Sequence, residues 1–313
     1  MLDVRRLRVL REVAQQGSFS AAADALSYTQ SAISQQIAAL ERETGTTLLQ
    51  RRAGGVRLTD AGRALVARAD VILAQLADAE NELAAIAGLR GGRVRLASFP
   101  SAAATLVTEA VSRFQRLHPE VELSLSEGEP DATVPALKRG DFDLAIVFDY
   151  DHRRAPNILS EDLDCIHLLD DPMRVVLPAE HPLTRRKTIR LEELAEQAWV
   201  GGCGGGVCHA MVMDWCADAG FEPNLAFESD DHNVLIGLVA AGVGITLLPQ
   251  LALRMGFPGV ESRAVAGADH VRRIYAAVPS DGYCSPAGDA MIAVLKSIAA
   301  EFEGRTPLPA VVS

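Results

Sequence analysis

Apolar residues at seven-residue spacing constrain this chain more than any other feature. Two such series lie between residues 59 and 89: Leu65, Ile72, Ala79 and Ile86 in one, and Ala69, Leu76 and Leu83 in the other. This heptad pattern predicts one long helix that pairs with a second copy as in a coiled coil. An ordinary amphipathic helix lying on its own domain is the alternative. Because Thr59 is a good N-cap and glycines follow Arg90, the helix is predicted to link a small N-terminal part to a large C-terminal part.

Charge divides the chain at the same helix. The 313 residues include 30 basic and 41 acidic ones, a formal net charge of −11 that taken alone argues against nucleic-acid binding. Residues 1 to 68, however, hold 10 arginines against 6 acids, whereas residues 69 to 313 hold 20 basic against 35 acidic residues. The short basic part and the long acidic part are therefore expected to have different electrostatic roles.

Composition narrows the class of protein. With 49% hydrophobic and 23% charged residues the chain can bury cores and is not disordered. No run reaches the roughly 20 apolar residues of a membrane span, and the first residues lack the apolar region of a signal peptide. Five cysteines, an odd count without an export signal, predict reduced thiols. A cytoplasmic protein with no membrane partner is expected.

Residues 1 to 58 predict three short helices and two strands. The first helix ends near Gly17, the second follows Ser18 or Ser20, and the third begins after Thr29. The third helix has one apolar face and one polar face, formed by Ala32, Ile33, Ile37 and Leu40 and by Gln30, Ser31, Ser34, Gln35 and Gln36 respectively. Two arginine-bearing strands around a glycine turn follow. This order is typical of a helix-turn-helix with a basic wing.

The remainder of the chain alternates strands and helices, which predicts an α/β fold with a parallel sheet. Strands are predicted at 94–97, 121–126, 144–148, 165–169, 173–177, 199–200, 226–228, 245–248 and 274–278. Helices are predicted at 103–118, 132–139, 207–219, 233–241 and 288–303. Residues 304 to 313 are predicted to be an unstructured tail.

Motifs at fixed spacing recur along nearly the whole chain. In the N-terminal part they are Gly17 through Ala23, Leu26, Gln30 through Ser34, Ile37, Leu40, Glu41, Gly45, Leu48, Arg51 and Leu58 through Gly62. In the C-terminal part they are Leu137-x-x-Gly140-x-x-Asp143-Leu144-Ala145-Ile146, Ala219-Gly220-Phe221-x-Pro223 and Leu238-Val239-Ala240-Ala241-Gly242-x-Gly244-Ile245-x-Leu247-Leu248-Pro249. Together these motifs resemble the LysR-type transcriptional regulators.

The resemblance implies an effector-responsive regulator that is not an enzyme. Its expected parts are a winged helix-turn-helix at 1–58, a dimerising linker helix at 59–90, and at 91–303 an α/β effector domain similar to periplasmic binding proteins. Two lobes are expected in that domain, about 91–162 with 268–303, and 163–267. The implied partners are double-stranded promoter DNA, a small-molecule effector of unknown identity and other copies of the chain, as a dimer and then a homotetramer. RNA polymerase is a further candidate, and no cofactor or metal is implied.

Two positions depart from the pattern of the family. Leu49 stands where the family often has Phe, and Gly54 stands at the wing tip where a basic residue is common. Arg52 is a candidate to replace that contact.

The DNA-reading residues are expected on the third helix and the wing. Short polar side chains on a helix can meet base edges in the major groove, the helix N-terminus favours a phosphate, and arginines follow the backbone. The candidates are Thr29, Gln30, Ser31, Ser34, Gln35, Gln36, Arg51, Arg52 and Arg57. A solvated polar face is the alternative. For Arg5, Arg6, Arg8 and Arg11, ion pairing or solvation is an equal alternative to phosphate contact.

The effector site is expected where strands end and helices begin at one edge of the sheet. The candidates are Ser98, Phe99, Pro100, Ser101, Phe148, Gly202, Cys203 and Asp230. Simple helix capping is the alternative for Ser98 and Ser101. Helix N-termini converging there favour an anionic effector, although Asp149, Asp230 and Asp231 could repel it.

Other chemistry fits the sequence less well. The glycines around Cys203 lack the Lys-Ser/Thr of a phosphate loop, and Gly242-x-Gly244 lacks the third glycine of a dinucleotide site. Cys208 and Cys216 are predicted as buried packing residues, with a redox switch as the alternative. A solute receptor would need export, and an enzyme of this class would need a motif such as Gly-x-Ser-x-Gly, which this chain lacks.

Overall fold

The computed structural model describes residues 2–52, 55–86, 92–150, 162–202, 207–267, 270–280 and 284–304. For residues 51–52, 77–78, 81–82, 84–86 and 303–304 it describes the backbone alone. The chain divides into two compact units. One holds Met1–Arg90 with Ala136–Phe142, and the other holds Gly91–Pro135 and Asp143–Ser313.

The first unit is helical with a small hairpin. Its elements are α1 Val4–Gln16, α2 Phe19–Leu26, α3 Gln30–Thr44, β1 Leu49–Arg52, β2 Gly55–Leu58 and α4 Asp60–Ile86. The predicted caps are present, because the Ser18 and Thr29 side chains accept hydrogen bonds from the N–H groups of Ala21 and Ala32. The predicted end of α1 at Gly17 is also present, with a left-handed φ of 67°. The three-helix prediction is thus confirmed.

Two glycines allow the hairpin to pack closely on the helices. A Cβ at Gly62, in the first turn of α4, would lie 2.1 Å from the carbonyl oxygen of Leu48. A Cβ at Gly55 would lie 2.7 Å from the carbonyl oxygen of Gly17, which accepts a hydrogen bond from Val56. Any side chain at these positions would push β1 or β2 away from the helices.

The second unit is built around a mixed sheet. Its strands are β3 Arg93–Ser98, β4 Glu122–Glu127, β5 Leu144–Tyr150, β6 Leu163–Pro178, β7 Thr188–Ile189, β8 Ala198–Gly201, β9 Asn224–Glu228, β10 Thr246–Pro249, β11 Val260–Val265 and β12 Val271–Pro279. The main sheet has the order β4-β3-β5-β12-β6-β11-β7, with β10 also pairing with β6, and β8 pairs with β9 separately. Strand β3 is parallel to β4 and β5, whereas β12 is antiparallel to β5 and β6. The predicted parallel pairing is therefore present among β3, β4 and β5, but the sheet as a whole is mixed.

Strand β6 joins the two parts of this sheet. It pairs with β12 as far as Pro172, and with β10 and β11 from Met173 onward. The two strands predicted at 165–169 and 173–177 are therefore one. The strand changes partners at Asp170, Asp171 and Pro172, which separate the two predicted segments.

The helices of the second unit lie close to the predicted ones. They are α5 Pro100–Ala102, a π-helical stretch Ala103–Val107, α6 Thr108–Leu117, α7 Pro130–Lys138, α8 Val207–Asp218, α9 His232–Ala240 and α10 Pro286–Gly304. The residues of α7 from Ala136 onward belong to the first unit. One large apolar core, which includes Phe114, Ile146, Trp199 and Leu295, packs α6, α8 and α10 on the sheet. A second cluster, with Leu235, Ile236 and Val239, packs α9 against β6, β8 and β10. Of the helices in the described ranges, none combines the length and the apolar character that crossing a membrane requires.

Candidate functional site

Helix α3 presents a polar face to solvent. Gln30, Ser31 and Gln35 are exposed and Ser34 is half-buried, whereas Ile33 and Ile37 on the opposite face are buried. The polar positions that the sequence places on one face therefore lie together at the surface of a helix fixed by an apolar core.

The ends of this face are held by neighbouring polar groups. The hydroxyl of Thr29 lies 3.0 Å from that of Ser31. The side-chain oxygen of Gln36 accepts a hydrogen bond of 3.3 Å from Nε of Arg6, which also forms an ion pair with Glu43. For Arg6 the ion-pair alternative therefore describes the structure, and Gln36 is less available for DNA than the sequence suggests.

Glu41 attaches the hairpin to α3, a role that the sequence analysis missed. One of its carboxylate oxygens accepts hydrogen bonds from the N–H groups of Leu48 at 2.7 Å and Leu49 at 3.2 Å. Because charge-assisted hydrogen bonds of this kind are strong, the hairpin has a defined position relative to the polar face of α3. The signal in the sequence was an acid at the end of an otherwise neutral helix face.

Arg57 is exposed on β2, opposite Gln50 of β1 in the hairpin. The wing residues Arg51 and Arg52 occupy the last two positions of β1, and their side chains lie outside the described part. Gly54 at the expected wing tip lies outside the described residues as well.

A cavity of about 210 Å³ lies in the second unit. Four of the expected effector residues line it: Ser101 at the start of α5, Phe148 on β5, Gly202 after β8 and Asp230 before α9. These residues come from both of the predicted lobes. The cavity is therefore placed where a ligand would contact both.

Three other expected effector residues lie outside the cavity lining. Ser98, Phe99 and Pro100 are not among the described residues that line the cavity. The hydroxyl of Ser98 is buried and donates to the carbonyl oxygen of Phe99, and the Phe99 ring packs edge-on against Phe148 with centroids 4.8 Å apart. Phe99 therefore supports the cavity wall through Phe148, whereas Pro100 is exposed. Cys203 lies outside the described residues.

The sequence analysis missed a buried arginine at the cavity. The side chain of Arg272, on β12, is 1% exposed and forms an ion pair with Asp171 on β6, with Nη2 at 2.7 Å and Nε at 3.2 Å from Oδ2. Nη2 also donates to the hydroxyl of Ser101 at 2.9 Å. The guanidinium lies over the rings of Phe99 and Phe148, 4.6 and 5.1 Å from their centroids.

The Arg272–Asp171 pair connects the two parts of the sheet. Oδ1 of Asp171 accepts a hydrogen bond of 3.0 Å from the N–H of Leu251, which follows β10, while Ser101 follows β3. The signal in the sequence was an arginine inside a strand whose buried positions are otherwise apolar.

The cysteines near the cavity are poor candidates for a thiolate. Cys216 is buried, and desolvation raises the pKa of its thiol to about 12. The Sγ of Cys208 lies 3.4 Å from Oη of Tyr150, and burial raises the pKa of Cys208 as well. Cys208 differs from expectation, because it is half-buried and lines the cavity. Raised pKa values disfavour the redox alternative, since the thiolate is the reactive form.

Acidic side chains and one histidine complete the lining. Glu129, Asp131 and Asp230 are exposed carboxylates around the cavity. His232 is half-buried beside them, and desolvation, aided by the charge of Arg272, lowers the pKa of its imidazole to about 4. Glu129 and Asp131, at the start of α7, were not singled out from the sequence, because only the fold brings them to the cavity.

Known families match almost the whole chain. Residues 4–63 match the bacterial regulatory helix-turn-helix protein, lysR family, and residues 87–300 match the LysR substrate binding domain. The chain is 32% identical over 249 residues to the transcriptional dual regulator GltC of Bacillus subtilis, covering 80% of this chain and 81% of that protein.

Solved structures share the fold. A full-length variant of OxyR from Pseudomonas aeruginosa superposes with a TM-score of 0.72 at 24% identity, covering 96% of this chain and 95% of that chain. CbnR, a LysR family transcriptional regulator, superposes with a TM-score of 0.64 at 21% identity, covering 95% and 99%. With a matching family over both units and a relative above 30% identity, the chain belongs to the LysR family of transcriptional regulators, which bind DNA and respond to small-molecule effectors.

Proposed function

We propose that this regulator reads promoter DNA through α3 and the wing, and that a small molecule in the cavity of the second unit changes its affinity for that DNA. The observation that carries the proposal is that one chain has both features. It has a helix with an exposed polar face, fixed by an apolar core, and a cavity lined by a buried arginine.

Base reading is assigned to the exposed middle of α3. Glutamine can form two hydrogen bonds with adenine and serine can bond either kind of base pair, so Gln30, Ser34 and Gln35 are the proposed specificity residues. Thr29 and Ser31, at the helix N-terminus, are placed for a phosphate. Gln36 has a supporting role because Arg6 already binds it.

Phosphate binding is assigned to the wing. Arg57 is exposed and its strand is fixed to α3 through Glu41 and β1. Arg51 and Arg52 are proposed for the same role from their sequence positions. Contacts of this type raise the affinity for all DNA sequences and make it depend on salt.

Effector binding is assigned to the cavity. Ser101, Phe148, Gly202 and Asp230 line it and keep their proposed role, while Ser98 and Phe99 are proposed to shape its wall. Cys203 remains a candidate because it follows Gly202 directly in the chain.

Self-association is assigned to α4, and the regulator is proposed to work as a homotetramer. Its proposed location is the cytoplasm, where promoters and RNA polymerase are found. Ile72, Leu76 and Leu83 are exposed on this helix, with 39%, 37% and 67% of their surface accessible in the single chain. Their spacing places them in one stripe, and an unpaired apolar stripe on a long helix favours pairing with a second copy.

The experiment compares two variants on the DNA upstream of the gene and on a random duplex, by fluorescence anisotropy over a range of salt. Ser34→Ala combined with Gln35→Ala is expected to lose discrimination, about 1–3 kcal/mol for each base contact, and to keep its affinity for random DNA. Arg57→Ala is expected to weaken binding to both duplexes and to lower the salt dependence.

Gln15→Ala, at an exposed position near the end of α1, is the matched control. It should change neither the discrimination between the two duplexes nor the salt dependence of binding. Equal losses on both duplexes for the α3 double variant would show that α3 does not read the sequence.

A further inference from the structure

We propose that the effector is a zwitterion with an apolar body, whose oxygen acceptor binds Arg272 and whose protonated amine faces Glu129, Asp131 and Asp230. This inference rests on the proposed function of the cavity and specifies the chemistry of its ligand.

The charge of Arg272 is already compensated in the protein. Asp171 binds two of its nitrogens, both side chains are 1% exposed, and Ser101 accepts a further hydrogen bond from Nη2. Because a buried pair of this kind is neutral as a whole, Arg272 offers a ligand a hydrogen-bond donor rather than an uncompensated positive charge.

One guanidinium nitrogen is left for the ligand. Nε and Nη2 bind Asp171 and Ser101, whereas Nη1 has no hydrogen-bond partner among the described residues. Arg272 lines the cavity, so its remaining donor calls for an acceptor such as a carboxylate or carbonyl oxygen.

The charges around the rest of the cavity are negative. Glu129, Asp131 and Asp230 line it, and His232, with a pKa of about 4, is neutral at pH 7. Among the described residues, the lining and its buried counter-ion Asp171 thus hold one cation and four carboxylates. Desolvation raises the pKa of the Glu129 carboxyl group, and the charges of Asp131 and Asp230 act in the same direction. A protonated amine would compensate these carboxylates, whereas a dianion would be repelled by them.

The space between the charged groups is apolar. Met173, Met211, Leu235 and Leu247 are buried and line the cavity. These side chains suit a hydrocarbon chain or ring, and the two methionines can adapt to its shape. A small hydrophilic zwitterion without such a body would leave this surface uncovered.

The test is a set of four probes on the same six-carbon chain: 6-aminohexanoate, adipate, 1,6-diaminohexane and 1-hexanol. Binding to the full-length protein is measured by isothermal titration calorimetry and by tryptophan fluorescence, since the ring of Trp215 lies 6.0 Å from that of Tyr150 at the cavity. 6-Aminohexanoate is expected to bind at least tenfold more tightly than adipate, with the diamine and the alcohol between them.

Glu129→Gln combined with Asp230→Asn should weaken 6-aminohexanoate about tenfold and should leave 1-hexanol unchanged. Both side chains are exposed, so the fold should be kept. Glu120→Gln combined with Glu122→Gln, two exposed acids outside the cavity lining, is the matched control and should leave all four affinities as they are.

Tighter binding of adipate, binding of none of the four probes, or the same loss in the control would overturn the zwitterion proposal. The proposed function stands or falls on a different measurement, the DNA discrimination of the α3 variants. Failure of the ligand class and failure of the regulator assignment are therefore distinguishable.

Discussion

At the scale of single residues, the cavity depends on one buried ion pair. Removing two charges from water is costly, and the Arg272–Asp171 pair regains this cost through short hydrogen bonds to each other, to Ser101 and to Leu251. The pair also faces two aromatic rings, which favour a guanidinium above their planes. Its stability therefore depends on both partners being present.

Arg272→Met is expected to lower the free energy of unfolding of the second unit by about 3–5 kcal/mol, because Asp171 would remain buried without a partner. Arg272→Met combined with Asp171→Leu should regain most of this loss. The measurement is urea unfolding followed by tryptophan fluorescence, which reports this unit alone since both tryptophans of the chain, Trp199 and Trp215, lie in it. A double variant no more stable than the single one would contradict this account.

His232 gives the second unit a pH dependence. Burial lowers its pKa from 6.5 to about 4 in the folded protein, so between these values the unfolded chain binds more protons. Stability contributed by the neutral imidazole is therefore present above pH 6.5 and is lost as the pH falls toward 4.

Between pH 7 and pH 5 this effect should lower the free energy of unfolding by on the order of 2 kcal/mol. His232→Gln should remove that part of the pH dependence, and His118→Gln, a histidine outside the cavity lining, should not. The measurement is urea unfolding at each pH. Parallel pH profiles for the wild type and His232→Gln would show that another group is responsible.

At the scale of helices and strands, local signals predicted most of the elements. Thr29 and Ser18 cap α3 and α2, and Gly17 ends α1, because caps and left-handed glycines act within a few residues. Strands β7 and β11 were missed. Strand β7 has two residues, and β11 carries Glu261 and Arg263 on a half-buried surface, so neither has a strong apolar pattern. Pairing with distant strands determines both.

The proposed self-association through α4 can be tested with charged substitutions. Ile72→Asp combined with Leu76→Asp would place charges in the proposed seam between two copies, and burial of apolar surface cannot offset that cost. Light scattering should show a lower mass than for the wild type. Ala67→Asp combined with Val71→Asp adds the same charges at the same spacing on the opposite, exposed face and should keep the mass. An unchanged mass in both variants would place the assembly contact elsewhere.

At the scale of the whole molecule, the site was harder to predict than the fold. The sequence indicated Ser101, Phe148, Gly202 and Asp230, since each was predicted near the end of a strand or the start of a helix, and all four line the cavity. Arg272 was not singled out, because its role depends on Asp171, which is about a hundred residues earlier in the chain. Contacts over such separations depend on the order of β12 beside β6 and carry no local pattern.

The regulator should transmit occupancy of the cavity to DNA through a change in the population of its conformations. A ligand can do this only by binding one conformation more tightly than another, and such coupling is typically about 1–3 kcal/mol. Filling the cavity with a side chain should therefore remove the response and leave DNA binding without ligand intact.

Val212→Phe is the variant chosen for this purpose, because Val212 is half-buried and lines the cavity, so a larger side chain can enter the space without displacing the core. A metabolite collection is screened by thermal shift on the wild type, and each stabilising compound is then tested for its effect on promoter affinity. In Val212→Phe both the thermal shift and the effect of the compound on promoter affinity should be lost. The promoter affinity without ligand should stay within about twofold of the wild type. A response worth about 1–3 kcal/mol corresponds to a roughly 5- to 150-fold change in affinity, which is easily distinguished from a twofold change. Val234→Phe makes the same substitution at an exposed position of α9 outside the lining and should respond as the wild type does. A compound that stabilises Val212→Phe as much as the wild type and still changes its promoter affinity would show that the effector binds elsewhere in the chain.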